Sequence, residues 1–332
     1  MLRVGFDVSP LALTKAGAAR YIESLIAALP EDAVEVRRYG FGGSSRFLVP
    51  VRDVGWYLGG LPLRARLDGA DVLHCPTHRA PVRSRVPLVV TLHDIALVRH
   101  PELFNSWTRT YSRFALPRIV RAARRVIAAS EFTRRELLEL LDVPAEKIRV
   151  IPHAVGPPFV SEGEAAAGDY VLTVGTLEPR KNLDRLVAGF RRAGLDGCRL
   201  LVAGMRGWGD VDVSGDRVSW LGFVPDDELA RLYRGARCVA YLSPYEGFGL
   251  PLVEAMACGA PVVAAHSEPA DEVTAGAAVL VDPLDPDSIA AGLAEAVDRG
   301  EELRARGLER ARAFDWHETA RATVEVYREA AA

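Results

Sequence analysis

Long apolar runs and paired cysteines are missing from this 332-residue chain. No run approaches the roughly 20 apolar residues that a membrane-spanning helix needs, so we expect no such helix. The chain enters a predicted strand at Leu2, which leaves no room for a signal peptide, and we expect a cytoplasmic protein. The four cysteines form no C-x-x-C pair and are predicted to be small buried apolar residues rather than ligands of a structural zinc ion. They are Cys75, Cys198, Cys238 and Cys258.

Lysine is scarce, since Lys15, Lys147 and Lys181 are the only three lysines among 41 basic residues. Charge is also uneven along the chain. Residues 1–155 carry 23 Lys and Arg against 15 Asp and Glu, a net charge of +8, so residues 156–332 carry −11 of the total of −3. Either basic residues cluster by chance on helix faces, or the first half faces an anionic acceptor or membrane surface. No nucleic-acid-binding motif accompanies the basic half, so nucleic acid is not an expected partner.

The length and the order of the predicted elements indicate two α/β domains. A chain of 332 residues exceeds one typical core. Strands and helices alternate twice along it, which predicts two doubly wound parallel sheets. The first set of predicted strands is 2–7, 34–39, 71–75, 87–92, 125–129 and 148–151. The second set is 170–175, 199–203, 218–221, 237–242, 261–264 and 278–281.

The segment 246–263 is the most informative part of the sequence. It contains two carboxylates eight residues apart, Glu246 in a Gly/Pro loop and Glu254 about one turn into a predicted helix. That helix is predicted to end at Gly259, before a β-branched strand. Glycines and a proline ahead of a helix allow a polar or anionic ligand to approach backbone amides closely.

A second motif occupies residues 176–182, after the predicted strand 170–175. Asn182 is a predicted N-cap of the helix that follows. Arg180 and Lys181 would then combine two cations with the positive end of a helix dipole, which suits a diphosphate. In a chain so biased towards Arg, the presence of a lysine at this junction favours a functional role for Lys181. The alternative is that the segment is a solvated basic loop.

The two motifs resemble the E-x7-E and E-P-R-K-N motifs of the retaining glycosyltransferases of family 4, which have the GT-B fold. The resemblance covers nearly the whole chain. It implies two Rossmann-like, doubly wound α/β domains that face each other across a cleft. Residues 1–155 would form the acceptor-side domain, completed by a C-terminal helix at about 314–332, and residues 156–313 would bind the nucleotide sugar.

The resemblance also implies roles for individual residues. Arg180 and Lys181 would hold the donor diphosphate, and Glu254 would accept hydrogen bonds from the ribose hydroxyls. Glu246 would lie beside the donor sugar as a catalytic residue. Further donor contacts are expected at loop and backbone positions, which are Gly17, Val224, Phe248, Gly249 and Leu250.

Three histidines of the first half differ in their predicted roles. A lone histidine is more often structural than catalytic, and we predict structural roles for His74 and His153. His93 ends a predicted strand, where the family has a His-Asp pair by the donor sugar, so we predict His93 as a second catalytic residue. Gly17 opens the first helix, but Ala19 stands where the family usually has another glycine.

The resemblance implies sugar transfer, with retention of anomeric configuration, to a hydroxyl group of a glycan or lipid-linked acceptor. In detail, the sequence looks most similar to bacterial mannosyltransferases of cell-surface polysaccharide assembly, so GDP-mannose is the expected donor. No acidic metal-binding motif is recognised, and we expect no metal ion or other cofactor, since Arg180 and Lys181 can neutralise the diphosphate. The apolar and basic stretch 47–67 could contact the inner face of the membrane.

Two other functions remain open at this point. The chain could be a GT-B epimerase that binds a sugar nucleotide without an acceptor, or a non-catalytic subunit that keeps the donor pocket. Both motifs together count against the epimerase, and the intact Glu246, Arg180, Lys181 and Glu254 count against the binding subunit. Product analysis without acceptor and a turnover assay separate these functions.

Overall fold

The chain folds into two compact units. In a computed structural model, residues 1–13, 17–43, 48–104, 106–209, 211–213 and 215–332 are described. Unit 1 comprises Met1–His153 and Trp316–Ala332, and unit 2 comprises Ala154–Asp315. Phe47, the first residue of the apolar and basic stretch, lies outside the described residues. Among the described residues, no helix is both long enough and apolar enough to cross a membrane.

Unit 1 contains a six-stranded parallel sheet with the strand order β2-β1-β3-β4-β5-β6. Its strands are β1 (Leu2–Asp7), β2 (Val34–Tyr39), β3 (Val72–Cys75), β4 (Leu88–Leu92), β5 (Arg125–Ala128) and β6 (Ile148–Val150). Every residue of β3 and β4 is buried, as expected for central parallel strands covered on both faces. The register places Val4 of β1 opposite Val36 of β2 and Val72 of β3.

Helices pack around this sheet. They are α1 (Gly17–Ala28), α2 (Leu48–Pro50), α3 (Leu61–Leu67), α4 (Ala96–Arg99), α5 (Ser106–Ala122), α6 (Glu131–Leu141) and α13 (Trp316–Ala331). A π-helical segment spans Val51–Gly60, and 3₁₀ turns span Ser9–Ala12, Pro101–Leu103 and Ala145–Lys147. Helix α13 returns to the first unit and buries Val324 and Tyr327 in the same core as Val4 and Phe6.

Unit 2 contains a second six-stranded parallel sheet, with the order β12-β11-β10-β7-β8-β9. Its strands are β7 (Tyr170–Val174), β8 (Arg199–Ala203), β9 (Val218–Gly222), β10 (Cys238–Tyr241), β11 (Val262–Ala265) and β12 (Val279–Val281). Its helices are α7 (Leu183–Arg192), α8 (Asp226–Gly235), α9 (Leu250–Ala257), α10 (Glu268–Thr274), α11 (Pro286–Asp298) and α12 (Gly300–Ala311), and a 3₁₀ turn spans Pro179–Lys181. The four cysteines are buried free thiols, as predicted.

Each sheet reverses its strand order at one place. In unit 2 the chain moves outward from β7 to β8 and β9, and then returns to β10 on the other side of β7. In unit 1 the corresponding neighbours are β1 and β3. Ligands of open α/β sheets bind at the carboxyl ends of strands at such switch points, because the loops diverge there and leave a crevice.

One local prediction is wrong. Asn182 precedes α7, but its side chain makes no capping hydrogen bond, and its backbone is left-handed with φ of 58°. The Asn182 amide instead donates to the Pro283 carbonyl oxygen at 2.6 Å, and its Oδ1 accepts from Arg185. The buried side chain therefore ties the start of α7 to a distant loop. Ser130, by contrast, is an N-cap, because its Oγ accepts the Thr133 N–H at 3.0 Å at the start of α6.

Candidate active site

Three predicted site residues of unit 2 meet at the switch point between β7 and β10. Arg180 and Lys181 lie in the turn after β7, and Glu246 lies in the loop after β10. One carboxylate oxygen of Glu246 lies 2.9 Å from Arg180 Nη1 and 2.5 Å from Lys181 Nζ. The parallel topology thus joins residues that are 65 positions apart in sequence into a single ion cluster.

Neighbouring groups hold the two cations in place. Glu178 Oε1 accepts from Arg180 Nη2 at 2.9 Å, and Glu178 Oε2 accepts from Trp208 Nε1 at 3.1 Å. Lys181 Nζ donates to the hydroxyl of Tyr241, the last residue of β10, at 2.8 Å. The cluster therefore contains two cations and two carboxylates, so its formal charge is balanced.

Burial and charge act in opposite directions on this cluster. Burial raises the pKa of the Glu246 carboxyl, but the adjacent Lys181 and Arg180 outweigh that effect and bring the pKa to about 2. Burial lowers the pKa of Lys181, although Glu246 opposes this change. Burial, followed by the charge of Glu246, raises the pKa of Tyr241. Glu246 is thus an ionised carboxylate across the physiological range.

The second signature carboxylate is buried in α9. Glu254 is only 3% exposed, and its Oε2 accepts a hydrogen bond from the Tyr233 hydroxyl of α8 at 3.1 Å. Ahead of α9, Gly249 has φ of +90°, a conformation that favours glycine. Phe248 packs edge-to-face against Phe314 at 5.6 Å, and Leu250 begins the helix. These positions place the loop backbone at the helix start, as the motif predicts.

Val224 lies apart from this cluster. It follows β9, which is the edge strand and is separated from β7 by β8. Its side chain is half-buried, whereas the preceding Phe223 is exposed. The role of Val224 in base binding stays a prediction.

His93 lies at the carboxyl end of β4 in unit 1. Its Nε2 lies 2.8 Å from the Pro76 carbonyl oxygen, which can only accept, so the neutral ring carries its proton on Nε2. Its Nδ1 then accepts from His153 Nε2 at 2.9 Å. Burial lowers the pKa of both imidazoles, which favours these neutral forms.

The helix that Gly17 opens also reaches His93. Tyr21, one turn after Gly17, packs edge-on against the His93 ring at 4.9 Å and contacts the His153 ring at 4.7 Å. Through Tyr21, the structure therefore links Gly17, His93 and His153, which the sequence analysis considered at separate positions. Tyr21 itself was not singled out from the sequence.

His74 has a structural position. It is fully buried, with Nδ1 2.8 Å from the Tyr327 hydroxyl and Nε2 2.8 Å from Thr91 Oγ1. Burial lowers its pKa to about 3, so it stays neutral. The ring joins α13 to β4 inside the core of unit 1.

The acidic residues do not form a metal site among the residues that the structure describes. Two D-x-D spacings do occur in the sequence, at 210–212 and 285–287, although no acidic motif was expected. Asp285 caps α11 through the Asp287 N–H, and Asp287 pairs with Arg192 at 2.8 Å. Asp210 lies outside the described residues. No group of three or more His, Cys, Asp or Glu in the described ranges could hold a metal ion.

Several residues of the site were not predicted. Tyr241, Glu178, Trp208 and Tyr233 contact the predicted residues directly. Glu178 is part of the E-P-R-K-N motif, and Tyr241 lies near the end of the predicted strand 237–242, at the ligand-binding edge. Those two positions carried a signal in the sequence, whereas Trp208 and Tyr233 are recognisable only from the fold.

Comparison with known proteins gives matches along most of the chain. Residues 159–314 match the family described as "Glycosyl transferases group 1", and residues 15–157 match "Glycosyltransferase Family 4". The chain is 33% identical over 283 residues to O-antigen chain mannosyltransferase B of Escherichia coli, covering 77% of this chain and 74% of that protein. It is 30% identical to O-antigen chain mannosyltransferase RfbU of Salmonella typhimurium, covering 72% and 69%.

The fold has close structural neighbours. Sucrose-phosphate synthase from Thermosynechococcus elongatus superposes with a TM-score of 0.79 at 20% sequence identity, over 99% of this chain and 98% of that one. Two parallel six-stranded sheets with this match confirm the GT-B fold expected from the sequence.

The paired state of Glu246 predicts a pH-dependent stability difference. Glu246→Gln should lower the free energy of unfolding near pH 7, on the order of 3 kcal/mol, because Gln leaves the buried Lys181 without a paired carboxylate and Arg180 with Glu178 alone. The folded pKa lies below the ordinary value of 4.5, so this stabilisation exists above pH 4.5 and is lost as pH falls towards 2. Urea unfolding at several pH values should show the variant and the parent protein converging in acid.

The exposed Glu162 provides a control. Glu162→Gln should differ little from the parent protein at any pH. A Glu246→Gln deficit that stays constant from pH 7 down to pH 2.5 would contradict the ion-pair interpretation.

Proposed function

Since this chain belongs to the glycosyltransferases of group 1 and family 4, we propose that it transfers mannose from GDP-mannose to a hydroxyl group of a glycan or lipid-linked acceptor, with retention of anomeric configuration. The observation that carries the proposal is the Glu246–Arg180–Lys181 cluster at the switch point of unit 2. The mannosyltransferase relatives support the choice of sugar. The nucleoside diphosphate sugar is a co-substrate, and no other cofactor is part of the proposal.

Donor binding changes the partners of the two cations in this scheme. Arg180 and Lys181 are neutralised by Glu246 and Glu178 when no donor is bound. A diphosphate brings further negative charge to the same cations. Arg180 can grip two phosphate oxygens with its planar fork, and Lys181 supplies a point charge. Glu254 accepts hydrogen bonds from the ribose hydroxyls.

The transfer step needs a leaving diphosphate that is stabilised in place. The bond from the anomeric carbon to the diphosphate oxygen breaks, and the bond to the acceptor oxygen forms on the same face. The acceptor proton passes to the leaving diphosphate, so atoms and charge balance. The protein then contributes position and charge stabilisation, chiefly from Arg180 and Lys181. Glu246 lies by the sugar and acts on its hydroxyls and developing charge.

His93, at the carboxyl end of β4, is the second proposed catalytic residue. Its Nε2–H now donates to the Pro76 carbonyl oxygen, and His153 occupies its Nδ1. To donate to a sugar hydroxyl, Nε2–H would exchange the Pro76 carbonyl oxygen for the hydroxyl oxygen, and the imidazole would stay neutral. The lowered pKa supports a neutral donor rather than an acid catalyst.

The acceptor is proposed to lie at a membrane surface. Exposed apolar side chains lie on the π-helical segment and on α3, and α3 also carries two exposed arginines, a combination that suits an anionic bilayer surface. The apolar residues are Val51, Val54, Leu58, Leu63 and Leu67, and the arginines are Arg64 and Arg66. Residence in the cytoplasm, at the inner face of the membrane, is part of the same proposal.

Vesicle binding tests the membrane part. The protein should sediment with vesicles that contain anionic lipid, and the bound fraction should fall as salt rises, because surface charge is screened. Leu58→Glu should reduce binding severalfold, whereas Leu284→Glu, an equally drastic change at an exposed leucine of unit 2, should not. Equal loss in both variants contradicts the assignment of this face.

A panel of nucleotide sugars tests the reaction. GDP-mannose, UDP-glucose, UDP-N-acetylglucosamine and a deoxysugar nucleotide are compared by donor hydrolysis and by thermal shift, since a ligand of the folded state raises Tm. We expect GDP-mannose to be preferred by roughly a hundredfold or more, because sites that hydrogen-bond a hydroxyl discriminate strongly. Activity should persist in excess EDTA, because the cationic side chains neutralise the diphosphate.

Each contrary outcome of the panel has a distinct meaning. Preference for a uridine donor overturns the mannose assignment and leaves the glycosyltransferase standing. An epimerised sugar nucleotide formed without acceptor indicates an epimerase, and donor binding without turnover on any acceptor indicates a binding subunit. Loss of activity in EDTA that Mg²⁺ restores contradicts the metal-free mechanism.

Paired variants test the division of roles between the two glutamates. Glu246→Gln should lower kcat by roughly a hundredfold while GDP affinity is kept or increased, because the change frees Lys181 and Arg180 from a competing carboxylate. Glu254→Gln should weaken GDP binding by about tenfold or more through the lost ribose contact. The two variants make the same chemical change and serve as controls for each other, with calorimetry and initial rates as the measurements. Identical defects in both would refute the assignment.

A further inference from the structure

Unit 1 contains a second ion cluster, which the donor site does not include. Arg52 and Arg79 each donate through Nε to the same oxygen of Asp53, both at 3.1 Å. The other Asp53 oxygen accepts from Trp107 Nε1 at 3.0 Å. The three charged residues come from the π-helical segment and from the loop after β3, and Trp107 comes from α5.

This cluster has an excess of positive charge in a buried place. Asp53 is inaccessible, Arg52 is 3% exposed and the Arg79 side chain is 18% exposed. Two guanidinium groups share one carboxylate, whereas the donor cluster of unit 2 has equal numbers of cations and carboxylates. A buried cation without a counter-charge is costly, because its desolvation is not offset. Among the residues that the structure describes, the arrangement thus lacks one negative charge.

Other nearby polar groups do not supply that charge. His78 Nε2 lies 3.2 Å from Arg79 Nη1, and burial together with that arginine lowers the pKa of His78, so the ring is neutral. Asp7 accepts from Tyr57 and Ser9, and burial raises its pKa. The Tyr111 hydroxyl interacts electrostatically with Asp53 and both arginines, is buried, and has no hydrogen-bond partner in the described ranges. It can donate to an added anion.

The location of the cluster is that of a ligand site. Arg79 follows β3 by four residues, and Tyr57 connects the π-helical segment to Asp7 at the end of β1. The carboxyl ends of β1 and β3 form the switch point of unit 1. Pro76, which precedes Arg79 in the same loop, accepts the hydrogen bond from His93. The cluster and His93 therefore share one loop.

We propose that Arg52 and Arg79 bind a phosphate group of the acceptor. The proposal rests on the proposed glycosyltransferase function and specifies its acceptor as a phosphorylated one. A phosphate oxygen pair suits the guanidinium fork, the added charge compensates the excess cation, and Tyr111 can donate to a third oxygen. The phosphate belongs either to a lipid-linked diphosphate sugar or to a water-soluble sugar phosphate.

Inorganic phosphate is the probe for this site, measured by ³¹P NMR titration of the full chain. Two classes of phosphate site are expected. Lys181→Ala should remove the class in unit 2. In that background, Arg79→Gln should weaken the remaining class at least about tenfold, as expected for a lost charged hydrogen bond. Arg83→Gln, an exposed arginine of the same loop, should leave it unchanged.

A second variant distinguishes phosphate binding by the cluster from a purely structural role. Asp53→Asn removes the shared carboxylate, so it should keep or tighten phosphate binding even where it lowers Tm. Arg79→Lys keeps the charge but not the fork, and should bind phosphate with intermediate affinity. If Asp53→Asn loses phosphate binding together with Arg79→Gln, or if the Lys181→Ala protein binds no phosphate, the proposal is wrong. Neither readout requires turnover, so failure of the donor assignment stays distinguishable.

Competition against bound phosphate identifies its source. The competitors are N-acetylglucosamine, N-acetylglucosamine 1-phosphate and a short-chain polyprenyl diphosphate sugar. The unphosphorylated sugar should not compete, and at least one phosphorylated compound should displace phosphate in the Arg83→Gln protein but not in the Arg79→Gln protein. Stronger displacement by the polyprenyl compound indicates a lipid-linked acceptor, and stronger displacement by the sugar phosphate indicates a soluble one. Displacement by neither overturns the proposal.

Discussion

One carboxylate oxygen of Glu246, shared between Arg180 and Lys181, is the contact that joins the two loops of the candidate site in the second unit. It exists because β7 and β10 are adjacent parallel strands, so that the loops leaving their carboxyl ends meet. Tyr241 at the end of β10 and Glu178 in the turn after β7 complete it. The four charges balance, which makes the buried cations tolerable when no donor is present. In the proposed function, a diphosphate would therefore compete with an internal carboxylate, which favours ligands of higher negative charge.

The two units differ in how far carboxylates neutralise their buried cations. In unit 2 the carboxylates equal the cations, and the site is complete without a ligand. In unit 1 Arg52 and Arg79 share Asp53 alone within the described part of the chain, and the deficit there is one negative charge. Both clusters lie at switch points of parallel sheets, where loops diverge and ligands have access. Under the two proposals, the contrast corresponds to different occupants, which are a donor that displaces an internal carboxylate and an anion that compensates an excess cation.

The sequence predicted those parts of the fold and site that depend on local chemistry. Strand positions follow from buried apolar runs, and the cap at Ser130 follows from its hydroxyl. The role of the Asn182 side chain could not be predicted in this way, because it donates to the carbonyl oxygen of Pro283, about a hundred residues away. Arg52 and Asp53 were likewise not singled out, since a π-helical segment has no apolar periodicity to mark it and their partner Arg79 is distant in sequence. Burial of charged residues depends on tertiary contacts, which a local pattern does not contain.

The orientation of His93 depends on the points at which the chain leaves and re-enters unit 1. His153 is the last residue of unit 1 before unit 2 begins, and Trp316 is the first residue after it ends. Both rings pack on Tyr21, at 4.7 Å and 6.0 Å, and His153 also donates to His93. Tyr21 in turn lies edge-on to His93 and near Thr91, which holds His74 and, through it, Tyr327 of α13. A displacement of His153 would therefore act on the His93 imidazole directly, and a displacement of Trp316 would act on it through Tyr21. The neutral tautomer of His93 thus depends on both crossing segments as well as on strand β4.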